Sequence, residues 1–220
     1  MLKEAALRTG FPNIFKSPAL YETLPRDVLQ MRLILCLYAL GTNIGIKRVV
    51  SGIPEKYREL LYVRNHFITR ENLRAAIATV ANAILRERKT QLWGQATSCA
   101  GDSKKFGAYD QNLLTEWHVR YRGPGIMVYW HVEKKALCIY SQIKRCSSSE
   151  VASMIQGLIN HCTDMEIRKG FVDTHGQSFV GFAFTHLLDI ALLPRLADIG
   201  GRKLYRPAAG MPDCQSASKC

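Results

Sequence analysis

The feature that most constrains this chain is a change of period at Trp93. Before it, apolar residues recur at helical spacing; after it, short runs rich in aromatic and β-branched residues take over. GIMVYWHVE (residues 125–133) and LCIYSQIK (137–144) are separated only by Lys134, Lys135 and Ala136, which predicts an antiparallel hairpin. TSCAGD, ending on Asp102, predicts a strand before it. Directly after the hairpin, Ser147 and Glu150 have the spacing of a capping box. Val151, Met154, Ile155, Leu158, Ile159 and Cys162 then fall on one face of an amphipathic helix. GFVDT (170–174) predicts a fourth strand and SFVGFAFTHLLD a second helix. ALLPRL predicts a short strand or a loop, because Pro194 cannot donate to a central ladder.

Residues 1–92 predict a helical segment ahead of this sheet. LPRDVLQMRLILCLYALG (24–41) has Pro25 in its first turn and Gly41 at its end, the usual punctuation of a helix. In TRENLRAAIATVANAILRERK, Thr69 can cap the start, while Arg86, Arg88 and Lys89 complement the dipole at the end. GTNIG between them reads as a stop and turn; without a following Gly-Lys-Ser/Thr it is not a phosphate loop. The class is therefore α/β (α+β), with N-terminal helices leading into a mixed sheet flanked by helices.

The strand order narrows this further. Three strands, a crossover helix and a fourth strand is the order of the RNase H-like fold, in which the first and fourth strands are neighbours at the sheet centre. Asp102 and Asp173, each expected near the carboxyl end of its strand, would then be brought together. Two adjacent carboxylates repel unless a cation lies between them. Mg²⁺ takes hard oxygen ligands and keeps positions for water and phosphate, so it is the expected cofactor, with Mn²⁺ as a substitute.

Charge points to the partner. The 220 residues hold 30 Lys and Arg against 18 Asp and Glu, a net +12 that favours a polyanion, and the basic residues recur in small groups along the chain. Lys104, Lys105, Arg120, His175 and Arg195 are candidates for contact with nucleic-acid phosphates. Trp93, Trp117 and Trp130 are expected in the core rather than as stacking platforms. The apolar run at residues 33–40 is too short to cross a bilayer, and no N-terminal stretch has the form of a secretion signal. Seven cysteines without regular spacing fit reduced thiols in a cytoplasm. The group Cys138, Cys146, His161 and Cys162 lacks the close pairs of a zinc site. No membrane partner and no small-molecule cofactor are expected.

The succession LGTNIGI, WGQATSCAGDSKKFG, EWHVRY, CSSSEVASMIQGLINHCTD, VDTHGQSFVGFAFTHLL and LLPRLADIGGRKLY resembles the transposases of the Tn-three family, the replicative class II transposons of bacteria. The resemblance implies an RNase H-like core in which two Asp and one Glu bind Mg²⁺. Such an enzyme nicks the 3′ ends of the transposon and joins them to target DNA by attack of the freed 3′-OH. Motif by motif, the first Asp falls on Asp102 of GDSKKF and the second on Asp173 of VDTHG. The family often has Ser before the first Asp, where Gly101 stands here.

The third carboxylate of the resemblance has no counterpart: no Glu follows Glu166, and Asp189, Asp198 and Asp213 do not sit in a matching motif. The organisation expected is thus a helical segment at 1–92, a partial catalytic domain at 93–207 and an atypical, disordered tail at 208–220. On this basis the chain is expected to be a truncated transposase, inactive alone, that works on double-stranded DNA in the bacterial cytoplasm at the nucleoid and self-associates. The alternative is a non-enzymatic DNA-binding protein or regulator derived from a transposase. An unrelated RNase H-like nuclease lacks a placed third acid.

Overall fold

The computed structural model describes residues 1–17, 24–197 and 199–201. The expected tail at 208–220, the motif residues 202–207 and Asp198 lie outside the described residues. The chain opens with helices α1 (Leu2–Thr9), α2 (Arg26–Gly41), α3 (Ile46–Val50), α4 (Tyr57–Phe67), α5 (Arg70–Glu87) and the single-turn α6 (Thr90–Trp93). Helix α2 begins directly after Pro25. Past its end, Asn43 and Gly45 take φ values of 56° and 84° and turn the chain into α3, so GTNIG is a stop and turn. Helix α5 is capped as expected: the Thr69 hydroxyl accepts from the Asn72 N–H at 3.2 Å.

These helices share one apolar cluster. Leu33 and Cys36 of α2 meet Leu60, Val63 and Phe67 of α4, all of them buried. Removing each large side chain from water is worth about 1.5–3 kcal/mol. Burial pushes the Cys36 thiol up to about 11, so it stays protonated and acts as a small apolar side chain.

The sheet contains β1 (Ser98–Gly107), β2 (Glu116–His118), β3 (Gly123–Glu133), β4 (Cys138–Lys144), β5 (Lys169–Val172) and β6 (Ala191–Pro194). Its order is β2-β3-β1-β5-β6, with β4 also pairing β3. Strand β1 takes one edge of β3; β2 and β4 follow one another along the opposite edge. The β3–β4 hairpin lies where the aromatic runs place it, with Ala136 at φ 65° in its turn. Helix α7 (Glu150–Asn160) crosses from β4 to β5, and α8 (Phe179–Leu187) crosses from β5 to β6. Both crossovers deliver parallel pairs, β1 with β5 and β5 with β6. This is the RNase H-like arrangement, and β6 forms an edge, as Pro194 requires.

Three local expectations need correction. Strand β1 does not end at Asp102 but continues to Gly107, because its antiparallel pairing with β3 extends well past its shorter pairing with β5. The N-cap of α7 is Ser149, whose hydroxyl accepts from the Ala152 N–H at 3.3 Å, rather than Ser147. Ser147 instead donates its backbone N–H to Glu116 on β2, and this short strand carries too few residues to show alternation in sequence. Trp93 and Trp117 are exposed rather than buried.

Burial alternates along β1 and β5, so the sheet has two unlike faces. Cys99 and Gly101 of β1, Tyr129 and His131 of β3 and Val172 of β5 are buried toward α7. His131 reaches α7 directly: its Nε2 lies 3.0 Å from the Met154 carbonyl and donates to it. A Cβ at Gly157 would stand 1.9 Å from the His131 ring, so the helix can approach only because that residue has no side chain. Ala100, Asp102, Lys104, Phe106 and Phe171 occupy the opposite face and are exposed.

The helical part and the sheet are joined by polar contacts. Arg88, just past α5, lies 2.8 Å from Glu133 at the end of β3, with side chains 9% and 2% exposed. The guanidinium N–H is not aimed for a hydrogen bond, so attraction between charges carries this contact. Arg74 donates to the Tyr140 hydroxyl at 3.0 Å, and Arg86 pairs with Asp164 at 2.7 Å. Among the described residues no helix is long and apolar enough to cross a membrane.

Candidate active site

The parallel ladder between β1 and β5 sets the geometry of the site. Ser98 pairs with Lys169, Cys99 with Gly170, Ala100 with Phe171 and Gly101 with Val172. The next residue on each strand is aspartate: Asp102 on β1 and Asp173 just beyond β5. Both share the parity of exposed residues, Asp102 with Ala100 and Lys104, Asp173 with Phe171.

Each carboxylate is oriented by its own backbone. Asp102 Oδ1 accepts from the Ser103 N–H at 2.7 Å, and Asp173 Oδ1 accepts from the His175 N–H at 3.0 Å. Asp173 thereby caps the 3₁₀ turn Thr174–Gly176. The turn folds back tightly on β5, since a Cβ at Gly176 would stand 2.3 Å from Val172 Cγ2. One oxygen of each carboxylate is thus committed locally, and the second is available to a ligand. Hard oxygen donors on adjacent strand positions suit a divalent cation, so the pair fits two ligands of such an ion. Among the described residues, however, no three of His, Cys, Asp and Glu are gathered closely enough to hold a metal ion, the group of Cys138, Cys146, His161 and Cys162 included.

Of the expected DNA-contacting residues, three lie around this pair. Lys104 is two residues along β1 from Asp102 on the same exposed face. His175 follows Asp173 and is exposed. The Arg195 backbone N–H donates to the Val172 carbonyl at 2.9 Å, which brings this exposed arginine to the end of β5. Lys105 and Arg120 are elsewhere. Lys105 points to the other face of β1, and both contact the Tyr121 ring in the turn between β2 and β3.

Beneath the aspartates lies a group that sequence spacing does not reveal. The Ser103 hydroxyl donates to the carboxylate of Glu150, the first residue of α7. The Tyr129 ring packs under Gly101, where a Cβ would stand 2.6 Å from its hydroxyl. Burial, and after it the charges of Glu150, Asp173 and Asp102, hold the Tyr129 phenol well above its usual range. Lys144 is also buried on this side, with its Nζ 5.8 Å from the centre of the Tyr129 ring and without a hydrogen-bond partner. Burial lowers its pKa, and Glu150 opposes that effect. Alternation along β1 explains why Glu150 does not join the aspartates: Ser103 and Asp102 point to opposite faces. No motif links residues 103, 129 and 150; the pairing of β1 with β3 and the packing of α7 on the sheet unite them.

A family model described as the Tn3 transposase DDE domain matches residues 1–218 of the chain. The chain belongs to this family. Two relatives illustrate the kinship of this Tn3-type sequence. The transposase for transposon Tn2501 of Escherichia coli is 27% identical over 93% of this chain and 21% of its own length. The transposase for transposon Tn1546 of Enterococcus faecium is 25% identical, with the same coverage of 93% and 21%. The chain therefore spans about a fifth of the length of the curated relatives it matches. Among solved structures, the catalytic domain of Mos1 mariner transposase aligns with a TM-score of 0.34 at 13% identity, over 61% of this chain and 65% of that one.

Proposed function

We propose that this chain contributes the first two carboxylates of a DNA strand-transfer site in a replicative transposase. The observation that carries this reading is the β1–β5 register, which ends at Gly101 and Val172 and sets Asp102 and Asp173 next to one another. Asp102 and Asp173 would hold Mg²⁺, or Mn²⁺ in its place, and such an ion supplies charge stabilisation and an activated oxygen for in-line phosphoryl transfer. The chain's own part is to aim two carboxylate oxygens while the Ser103 and His175 N–H groups restrain the others. Lys104, His175 and Arg195, exposed around the pair, would meet phosphates of transposon-end and target DNA and fix the register of the strand. The setting is double-stranded DNA at the bacterial nucleoid, with self-association of the transposase to join two ends. The organisation proposed with it is a helical segment at 1–92 and a partial catalytic domain at 93–207.

A second reading, a DNA-binding protein that does not cut, is favoured by one observation: no third acid is gathered with the aspartates among the described residues. The two readings share a test. Purified chain is incubated with transposon-end DNA and Mg²⁺ or Mn²⁺, and bound metal and 3′-end nicks are measured in parallel. Metal binding that depends on Asp102 and Asp173, with no nicking by this chain alone, is expected. Nicking abolished by Asp173→Ala would overturn the incomplete-site reading, and metal binding unchanged by Asp102→Asn and Asp173→Asn would overturn the site itself.

A further inference from the structure

The four-residue turn between β2 and β3 carries Tyr121, a residue 53% exposed. Three side chains gather on it. Lys105 Nζ lies 5.9 Å and the Arg120 guanidinium carbon 5.7 Å from the ring centre, and the His118 ring centre is 4.7 Å away. The turn is internally held: the Tyr121 N–H donates to His118 Nδ1 at 3.4 Å, and the next residue, Arg122, takes the left-handed φ of 45°.

The lysine reaches this place through a groove made by missing side chains. A Cβ at Gly125 would stand 2.6 Å from Lys105 Cε, and one at Gly123 would stand 3.3 Å from Lys105 Nζ. Lys105 therefore crosses the start of β3 and delivers its charge to the tyrosine. The nearby carboxylate Glu116 is engaged elsewhere, by the Ser147 N–H at 2.9 Å and by Arg145 at 3.8 Å. Among the described residues neither Lys105 nor Arg120 forms an ion pair. An exposed aromatic ring flanked by two unneutralised cations matches a flat π-system bearing phosphates on either side.

We propose that Tyr121, Lys105 and Arg120 form a clamp for one unpaired nucleotide of a DNA strand, the base stacking on Tyr121 and its phosphates meeting the two cations. A paired base inside a duplex has both faces covered by its neighbours and cannot offer one to a ring, so the occupant is unpaired. Lys105 lies three residues along β1 from Asp102, roughly 10 Å at the rise of a strand. The clamp is therefore a place separate from the aspartate pair. The inference takes DNA as the polyanion from the proposed function and needs nothing from its chemistry.

The test is fluorescence anisotropy with the full chain and three labelled probes: oligothymidylate, the same length of abasic strand, and a blunt duplex. Tyr121→Ala is expected to weaken oligothymidylate binding by about 5- to 140-fold, the range for losing one stacked base. It leaves abasic and duplex binding unchanged, and Tyr121→Phe keeps wild-type affinity for every probe. Lys105→Ala and Arg120→Ala weaken binding to all three probes and each lower the salt slope by about one. Thermal unfolding at the wild-type temperature is the check that each substitution leaves the fold intact. Unchanged oligothymidylate affinity in Tyr121→Ala, or an equal loss on all three probes, overturns the clamp. Repeating the titration with EDTA separates the two proposals: the loss in Tyr121→Ala persists without divalent metal if the clamp is right, whether or not metal binding at the aspartates is found.

Discussion

Gly101 of β1 stands opposite Val172 of β5 in parallel register, and one residue further each strand carries an aspartate. Backbone hydrogen bonds, rather than side-chain packing, therefore bring Asp102 beside Asp173. Removing either carboxylate leaves one oxygen ligand where there were two. Asp102→Asn and Asp173→Asn should each reduce Mn²⁺ affinity by at least about tenfold, measured by water-proton relaxation. The ladder itself is untouched, so the far-ultraviolet circular dichroism spectrum should not change.

Gly101 is a steric requirement as well as a neighbour of the first aspartate. A Cβ there would stand 2.6 Å from the Tyr129 hydroxyl and 3.0 Å from Cε1. Gly101→Ala should cost about 1–3 kcal/mol of stability, as overpacking does. In a Tyr129→Phe background the hydroxyl is gone and the cost should shrink, giving a favourable coupling energy in a double-mutant cycle of urea unfolding.

His131 makes stability depend on pH. Burial holds its pKa down to about 4 from an ordinary 6.5, because the ring is packed against α7 with Nε2 donating to the Met154 carbonyl. Between these values the unfolded chain binds a proton and the folded chain does not, so stability rises with pH. The contribution is complete above pH 6.5 and is lost as pH falls toward 4, on the order of 3 kcal/mol for a shift of this size. Thermal unfolding from pH 7.5 to pH 4.5 checks this; His131→Gln should flatten the dependence in that window.

The Arg88–Glu133 contact ties the helical segment to the end of the hairpin. Arg88→Met leaves Glu133 buried with only the Lys135 N–H, 2.9 Å away, to support its charge. A loss of about 3–5 kcal/mol is expected. Arg88→Met with Glu133→Leu should recover most of it, since removing both charges removes the desolvation penalty as well. Midpoints in urea distinguish the two variants.

How much of this was legible in the chain follows from the range of each interaction. The hairpin, both crossover helices and the partnership of β1 with the strand ending at Val172 could be inferred, because local period and element order carry them. The overrun of β1 past Asp102 could not, since only the length of β3 decides it. Strand β2 was hidden by its three residues. Glu150 was legible as a residue of the first helical turn but not as the acceptor for Ser103, a contact across 47 positions that exists only once α7 packs on the sheet. Tyr121 was hidden because a turn tyrosine has no periodicity. Its meaning lies in Lys105, which reaches it across two glycines.

Among the described residues, the apolar side chains exposed on one face of the sheet have a thermodynamic consequence. Phe106 and Phe171 are already 42% and 44% exposed in the folded state, and Ile143 is 59% exposed. Unfolding can hydrate only apolar surface that folding had dried. The heat-capacity increment and the denaturant m-value of this chain should therefore fall below those of an equally long domain whose sheet is covered on both sides. Its stability curve should be correspondingly flat, with little difference between a cold and a warm cell.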